Sequence, residues 1–242
     1  MIRLFIGYDP REAIAFHTMV QSIIENTRAP VAVTPLALGH LHGQLTRERD
    51  PRQSTDFAFS RFLVPHLCHF EGWALFMDCD MIVCGDLDAL WAERDPRFAV
   101  QVVKHDHRPV EDTKFLGQRQ TRYAKKNWSS VMLFNNARCT TLTTEYVNHA
   151  SGLELHQFAW LSDEALIGAL PPRWNHLVGY DAATNDIGVL HYTTGGPYFE
   201  QYTEVPYADV WRDYRRRATH AGPVSDANPT ATTPSAEGTH DR

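Results

Sequence analysis

The sequence contains no apolar run approaching the roughly 20 residues that a membrane-spanning helix needs, because charged or polar residues interrupt every stretch within about ten positions. A basic excess is missing too. Lys and Arg number 23 against 29 Asp and Glu, and the net charge of −6 speaks against a dedicated nucleic-acid binder, whose phosphate contacts need clustered cations. Cysteine is sparse. Cys68, Cys79, Cys84 and Cys139 lack the paired spacing of a zinc site, and their flanks read as buried strand and helix carrying reduced thiols. The opening run meets Asp9 and Pro10 before it could supply the apolar region and cleavage site of a secretion signal, so a cytoplasmic location is expected. No internal repeat is visible.

What is present is an ordinary globular composition: 242 residues, 43% of them apolar, enough for one sizeable core. Residues 1–217 read as a single catalytic domain. From 218 to 242 Pro, Ala, Thr, Ser and Gly replace the large apolar residues, which predicts a disordered tail.

Within the domain, an apolar run from Arg3 ends at Gly7, and Asp9-Pro10-Arg11-Glu12 follows as a helix start with an Asp cap, Pro at the first position and Glu closing a capping box. Ala13, Phe16, Val20, Ile23 and Ile24 continue at helical spacing. Strands are expected at 31–38, 73–77, 98–103, 130–134 and 187–192, and helices at 57–69, 86–91, 143–149 and 163–170. Such alternation predicts an α/β fold with an open, mostly parallel sheet flanked by helices.

In sheets of this kind ligands bind beyond the carboxyl ends of the strands. The buried run 73–77 delivers Asp78-Cys79-Asp80 at that end. Two carboxylates one residue apart repel each other, and a hard divalent cation shared with a phosphate substrate offsets that repulsion. Alone, an Asp-X-Asp also suits a helix cap or a loop.

The surrounding residues make a resemblance specific. Phe76 to Val83 with Gly85-Asp86-Leu87 resembles the metal-binding segment of family-8 glycosyltransferases. Phe5-Ile6-Gly7-Tyr8-Asp9 is similar to that family's first strand and nucleoside-binding turn, and Ser60-Arg61-Phe62 to its donor-contacting Arg. Trp128 to Asn135 resembles its Asn-Ser-Gly-Val-Met-Leu-Phe-Asn strand. Leu161 to Leu170 with Pro171, Trp174 and Asn175 resembles its acidic helix and Leu-Pro-X-X-Trp-Asn, and His191 to Pro197 its late His-X-X-Gly segment. The likeness spans residues 3–199.

The resemblance implies a GT-A fold, a nucleoside diphosphate sugar donor, usually UDP-linked, Mn²⁺ or Mg²⁺ as cofactor, and transfer with retention to a carbohydrate or glycolipid acceptor. It makes Asp78, Asp80 and His191 metal ligands. Gly7, Tyr8, Asp9, Arg61, Asp78, Ser129, Ser130, Gly195 and Gly196 become donor-binding, and Asp163 and Glu164 catalytic. Trp211, Tyr214 and Arg215-Arg216-Arg217 resemble the aromatic and basic tail by which some members touch membranes, which would place the protein at the inner membrane face. Cations closing a helix explain the same arginines without lipid.

Departures are equally specific. The late glycines lead into Pro197-Tyr198-Phe199, with no counterpart of the family's diphosphate-binding Lys, so Lys104, Lys114, Arg61 or glycine backbone N–H groups are candidates for that role. Ser162-Asp163-Glu164 stands where Asp-Gln-Asp is usual. His105-Asp106-His107 reads as a loop beside Arg108-Pro109 and is kept out of the metal set. A haloacid-dehalogenase-like phosphatase shares an Asp-X-Asp after an apolar strand but carries it near the chain start; a sugar nucleotidyltransferase should open with a Gly-rich basic loop, which Gly7-Tyr8-Asp9-Pro10 is not.

Overall fold

A computed structural model describes residues 1–49, 53–106 and 124–221, together with two short strands between the last two segments. Of the tail expected at 218–242, residues 222–242 lie outside the described residues, as does His107. β1 (Ile2–Gly7) opens the chain, and Asp9 caps a 3₁₀ turn (Pro10–Glu12) before α1 (Ala13–Glu25). β2 (Val31–Leu36) lies parallel to β1 and carries Pro35, which the edge position tolerates because no outer neighbour needs its missing N–H.

α2 (Val64–Leu67), β3 (Trp73–Met77), β4 (Met81–Val83), α3 (Leu87–Ala92) and β5 (Val100–Val102) follow. The short strands β6 (Thr113–Lys114) and β7 (Gln118–Arg119) pair with each other. β8 (Val131–Asn135), α4 (Thr144–His149), α5 (Gly152–His156), β9 (Ile167–Ala169), β10 (His176–Leu177), β11 (Val189–His191) and α6 (Ala208–Ala218) complete the order.

The main sheet runs β2-β1-β3-β8-β5-β9, with β8 antiparallel to both neighbours and every other pair parallel. This is the expected α/β arrangement, mixed but mostly parallel. A second sheet runs β10-β11-β4. Registers Met77↔Val131 and Met81↔His191 therefore set the end of β3 beside the start of β8, and the start of β4 beside the end of β11. The chain leaves one sheet at Asp78 and enters the other at Asp80.

Two apolar clusters follow the two sheets. The larger holds Leu4, Ile6, Met19, Phe62, Phe76 and Phe134; the smaller holds Ile82, Leu190, Tyr192 and Trp211 beneath α6. Asn26, closing α1, donates from Nδ2 to the Val83 carbonyl (3.1 Å) and to the Tyr214 hydroxyl (2.8 Å), tying α1, β4 and α6 together.

Several expected elements are corrected. The helix at 57–69 is instead two 3₁₀ turns, Asp56–Ala58 and Ser60–Leu63, followed by the single turn of α2, where Pro65 occupies a first-turn position that needs no N–H. The helix at 163–170 is a 3₁₀ turn (Glu164–Leu166) that straightens into β9, since pairing with β5 satisfies the backbone of Ile167 to Ala169. Glu12 closes no capping box. It turns inward, 1% exposed, and accepts a hydrogen bond from the Tyr198 hydroxyl at 2.9 Å.

Candidate active site at the seam of two sheets

Asp78, Asp80 and His191 converge where the sheets meet, with one ligand atom from each lying within 4.8 Å of the others. They are the one such cluster of three among the described residues. Backbone bonds explain the convergence. The Asp78 N–H donates to the Ser130 carbonyl (3.0 Å), and the Tyr192 N–H donates to the Asp80 carbonyl (2.9 Å), so each aspartate is pinned to a strand end of a different sheet. Cys79 between them is fully buried, and burial pushes its thiol well above the usual range.

His191 is oriented by Asn175. The Asn175 Nδ2 donates to the Ser130 Oγ (3.0 Å) and the Asn127 carbonyl (3.2 Å), which turns its Oδ1 toward His191 Nδ1 at 2.9 Å. With Nδ1 as the donor, Nε2 presents its lone pair to the cluster, 3.4 Å from Asp80 Oδ1. Two hard carboxylates and an oriented imidazole fit a divalent metal ion.

Arg61 lies directly behind Asp78. Its Nη1 is 2.8 Å from Asp78 Oδ1 and donates to the Ser129 carbonyl at 2.8 Å, while Nε donates to the Phe57 carbonyl at 3.3 Å. Ser129 and Ser130 are buried on the same side, and the Ser129 Oγ meets His156 Nδ1 at 2.7 Å. Burial, reinforced by the neighbouring Arg61 and Lys126 charges, holds His156 well below the usual histidine range.

The turn after β1 is rigid. Asp9 is fully buried and accepts from the Arg11 N–H (3.0 Å), the Arg11 side chain and the Asp56 N–H (3.0 Å). Burial raises its carboxyl, but those donors outweigh burial and hold it below the ordinary value. Gly7 is required by packing, since a Cβ there would lie 2.3 Å from the Phe57 ring. Tyr8 stacks edge-on against Phe16.

At the late motif, Gly195 takes a φ of +155°, and its N–H donates to the Tyr192 carbonyl at 2.9 Å, so that N–H does not face a ligand. Among the other expected cations, Lys104 donates to the Ile167 carbonyl at 2.7 Å, and the side chain of Lys114 lies outside the described residues. Asp163 and Glu164 are exposed and stand outside the three-residue cluster. Asp163 caps the Ala165 N–H at 2.8 Å, and Glu164 pairs with Lys125. Trp211, expected at a membrane surface, is 1% exposed in the smaller core, because α6 packs on α1; Arg217 pairs with Glu25 at 2.8 Å. Among the described residues no helix is long and apolar enough to cross a membrane.

Asn175, Asn127, Glu12 and Tyr198 were not among the sequence-derived site residues. Asn175 does stand in the Leu-Pro-X-X-Trp-Asn segment already singled out. Nothing in the local sequence marks Asn127, whose role depends on a left-handed φ of 64° and on contacts made across the chain.

No family model matches the sequence. Protein CDI of Arabidopsis thaliana is 42% identical over 218 residues, which cover 86% of this chain and 84% of that protein. The chain belongs to the Protein CDI family. Solved glycosyltransferases share the fold of this family member. The bifunctional glycosyltransferase WbbM matches 88% of the chain at a TM-score of 0.62 and 14% identity, with 49% of its own chain covered. GlyE of Streptococcus pneumoniae TIGR4 matches 88% at 0.58 and 15% identity, with 60% covered. The galactosyltransferase LgtC, in complex with donor and acceptor sugar analogs, matches 91% at 0.55 and 11% identity, with 98% covered. The Protein CDI family chain thus spans about half the length of WbbM and nearly all of LgtC, and the GT-A-like fold implied by the family-8 resemblance is borne out.

Proposed function

We propose that this chain is a metal-dependent glycosyltransferase that moves a sugar from a nucleoside diphosphate sugar, UDP-linked, to a carbohydrate or glycolipid acceptor with retention. The observation that carries the reading is the convergence of Asp78, Asp80 and an imidazole oriented by Asn175 at the carboxyl end of β3, in a glycosyltransferase fold. Asp78, Asp80 and His191 would hold Mn²⁺ or Mg²⁺, which when bound supplies Lewis acidity to the departing diphosphate.

The remaining roles belong to the chain itself. The Gly7-Tyr8-Asp9 turn, made rigid by Asp9, receives the nucleoside. Arg61, Ser129 and Ser130 set the position of Asp78 from behind, and Gly195 and Gly196 shape the wall of the diphosphate site. Asp163 and Glu164, exposed on the turn before β9, would meet the transferred sugar and acceptor. A phosphatase reading loses support from the two strands of the main sheet, β1 and β2, that precede the strand delivering Asp78.

The test is a thermal shift with nucleoside diphosphates, with and without Mn²⁺, alongside release of UDP from UDP-sugars. UDP with Mn²⁺ is expected to raise the melting temperature, and Asp80→Ala to abolish both shift and turnover while retaining the fold. An Asp80→Ala chain that keeps wild-type turnover would overturn the assignment, and phosphate release from an aryl phosphate would favour the phosphatase.

A further inference from the structure

The turn that leads into β8, residues 125–130, holds the candidate site by three of its carbonyls. That of Asn127 accepts from Asn175, which aims His191; that of Ser129 accepts from Arg61, which meets Asp78; and that of Ser130 accepts from the Asp78 N–H itself. The turn is strained. Lys125 and Asn127 take left-handed φ values of 61° and 64°, in a region that costs non-glycine residues about 1–2 kcal/mol each. Three consecutive residues at the end of α5 grip it from behind. His156 Nδ1 lies 2.7 Å from the Ser129 Oγ, the Gln157 carbonyl accepts from Lys125 Nζ at 3.0 Å, and the Phe158 ring packs on Trp128 with centroids 6.4 Å apart. Phe158 is itself left-handed, at 60°. Such a conformation persists only where the surroundings impose it, and half of the six left-handed non-glycine residues among the described residues meet at this one contact.

We infer that His156 is a positioning residue: through Ser129 it clamps the 125–130 turn, and so sets where Asp78 and the His191 imidazole stand, without touching a ligand itself. This rests on the reading proposed above for the site. The ring lies edge-on to Phe62, with centroids 5.1 Å apart, and tilted against Phe59 at 6.4 Å, and it bonds the Ala58 backbone as well as the Ser129 hydroxyl. It thereby fastens both 3₁₀ turns of the 56–63 segment, the second of which carries Arg61, to the turn whose carbonyl Arg61 serves. Burial, with the Arg61, Lys126 and Arg47 charges around it, keeps the ring neutral. A neutral imidazole offers one donor and one acceptor, which matches one backbone carbonyl and one hydroxyl. Lys125 also pairs with Glu164, so the clamped turn reaches the exposed residues proposed to meet the acceptor.

Amide hydrogen exchange of the full chain, read in the peptides that hold Asp78 and residues 125–131, tests the clamp without ligand or turnover. His156→Phe keeps a ring against Phe59 and Phe62 but loses both hydrogen bonds, and it is expected to speed exchange roughly tenfold in both peptides. His156→Gln, whose amide both donates and accepts, should restore most of the protection. Ser129→Ala, which serves alone if His156→Phe does not fold, leaves the backbone carbonyls in place and should match His156→Phe. The double variant should lose no more than either single one, because the two side chains act as one unit. Calorimetry with UDP in the presence of Mn²⁺ supplies the ligand arm, where His156→Phe is expected to weaken binding roughly tenfold and His156→Gln much less. Unchanged exchange at Asp78 in both His156→Phe and Ser129→Ala would overturn the inference. So would additive losses in the double variant, or a folded His156→Phe that binds UDP with Mn²⁺ as wild type does. If the wild type binds no nucleoside diphosphate with Mn²⁺, the glycosyltransferase reading falls instead, and exchange at Asp78 still decides the clamp.

Discussion

At the residue scale, Asn175 fixes the direction in which His191 faces, and with it the ligand role proposed for that imidazole. Its amide donates to Ser130 and Asn127 and accepts from His191, so a single side chain fixes which imidazole nitrogen faces Asp80. Asn175→Ala is expected to weaken Mn²⁺ binding about 10- to 100-fold, the usual effect of removing a group that orients a metal ligand, while Asn175→Asp, which still accepts from Nδ1, should lose less. Dialysis or calorimetry with Mn²⁺ reads both. Asp9 gives a pH prediction with a definite sign. Its folded-state value lies below the ordinary 3.8, so its contribution to stability is complete above that value and fades as pH falls through the lowered one. Asp9→Asn should therefore cost about 2 kcal/mol at neutral pH, by loss of charge-assisted bonds. The gap from wild type, measured by urea unfolding, should narrow below about pH 4 as the wild-type carboxylate protonates.

At the element scale, α6 is the piece that the sequence misrepresents most. Its Arg215-Arg216-Arg217 cluster with Trp211 and Tyr214 resembles a membrane-touching surface, yet Trp211 is a core residue whose ring centroid lies 5.4 Å from that of Tyr198, whose hydroxyl donates to Glu12. Trp211→Ala should cost about 3–5 kcal/mol, as expected for an aromatic removed from a core, and should loosen the late motif enough to weaken nucleotide binding as well. Melting curves and UDP titration check the two halves. A loss of stability with nucleotide binding intact would show that α6 acts on the fold alone. Legibility follows the same line. The strand leading to Asp78 is readable because a central strand buried on both faces is a continuous apolar run, and β1 with its glycine stop is readable for the same reason. The segment 163–170 was not, since Ile167-Gly168-Ala169 becomes a strand through pairing with β5, a partner more than sixty positions away. Asp78, Asp80 and His191, which the structure brings together, are each marked by a motif in the sequence, whereas Asn127, Glu12 and Tyr198 make contacts between distant elements that no local spacing records.

At the scale of the whole molecule, the two apolar clusters are separate in space but not independent. α1 faces both, with Phe16, Met19 and Ile23 in the larger and Ile14 against the smaller, and Asn26 at its end holds β4 and α6. The chain is accordingly expected to unfold in one cooperative transition, with far-ultraviolet and tryptophan signals melting together; two resolved transitions would show that the smaller cluster melts by itself. The placement of Asp78 and Asp80 on different sheets carries a last consequence. Two positions apart along the chain, they are bonded to different sheets, so the gap between their oxygens depends on the packing between those sheets as well as on the motif. Substitutions deep in either cluster, far from any ligand, should therefore retune the ionic radius the pair accepts, shifting the preference between small Mg²⁺ and larger Ca²⁺ with every surface residue unchanged.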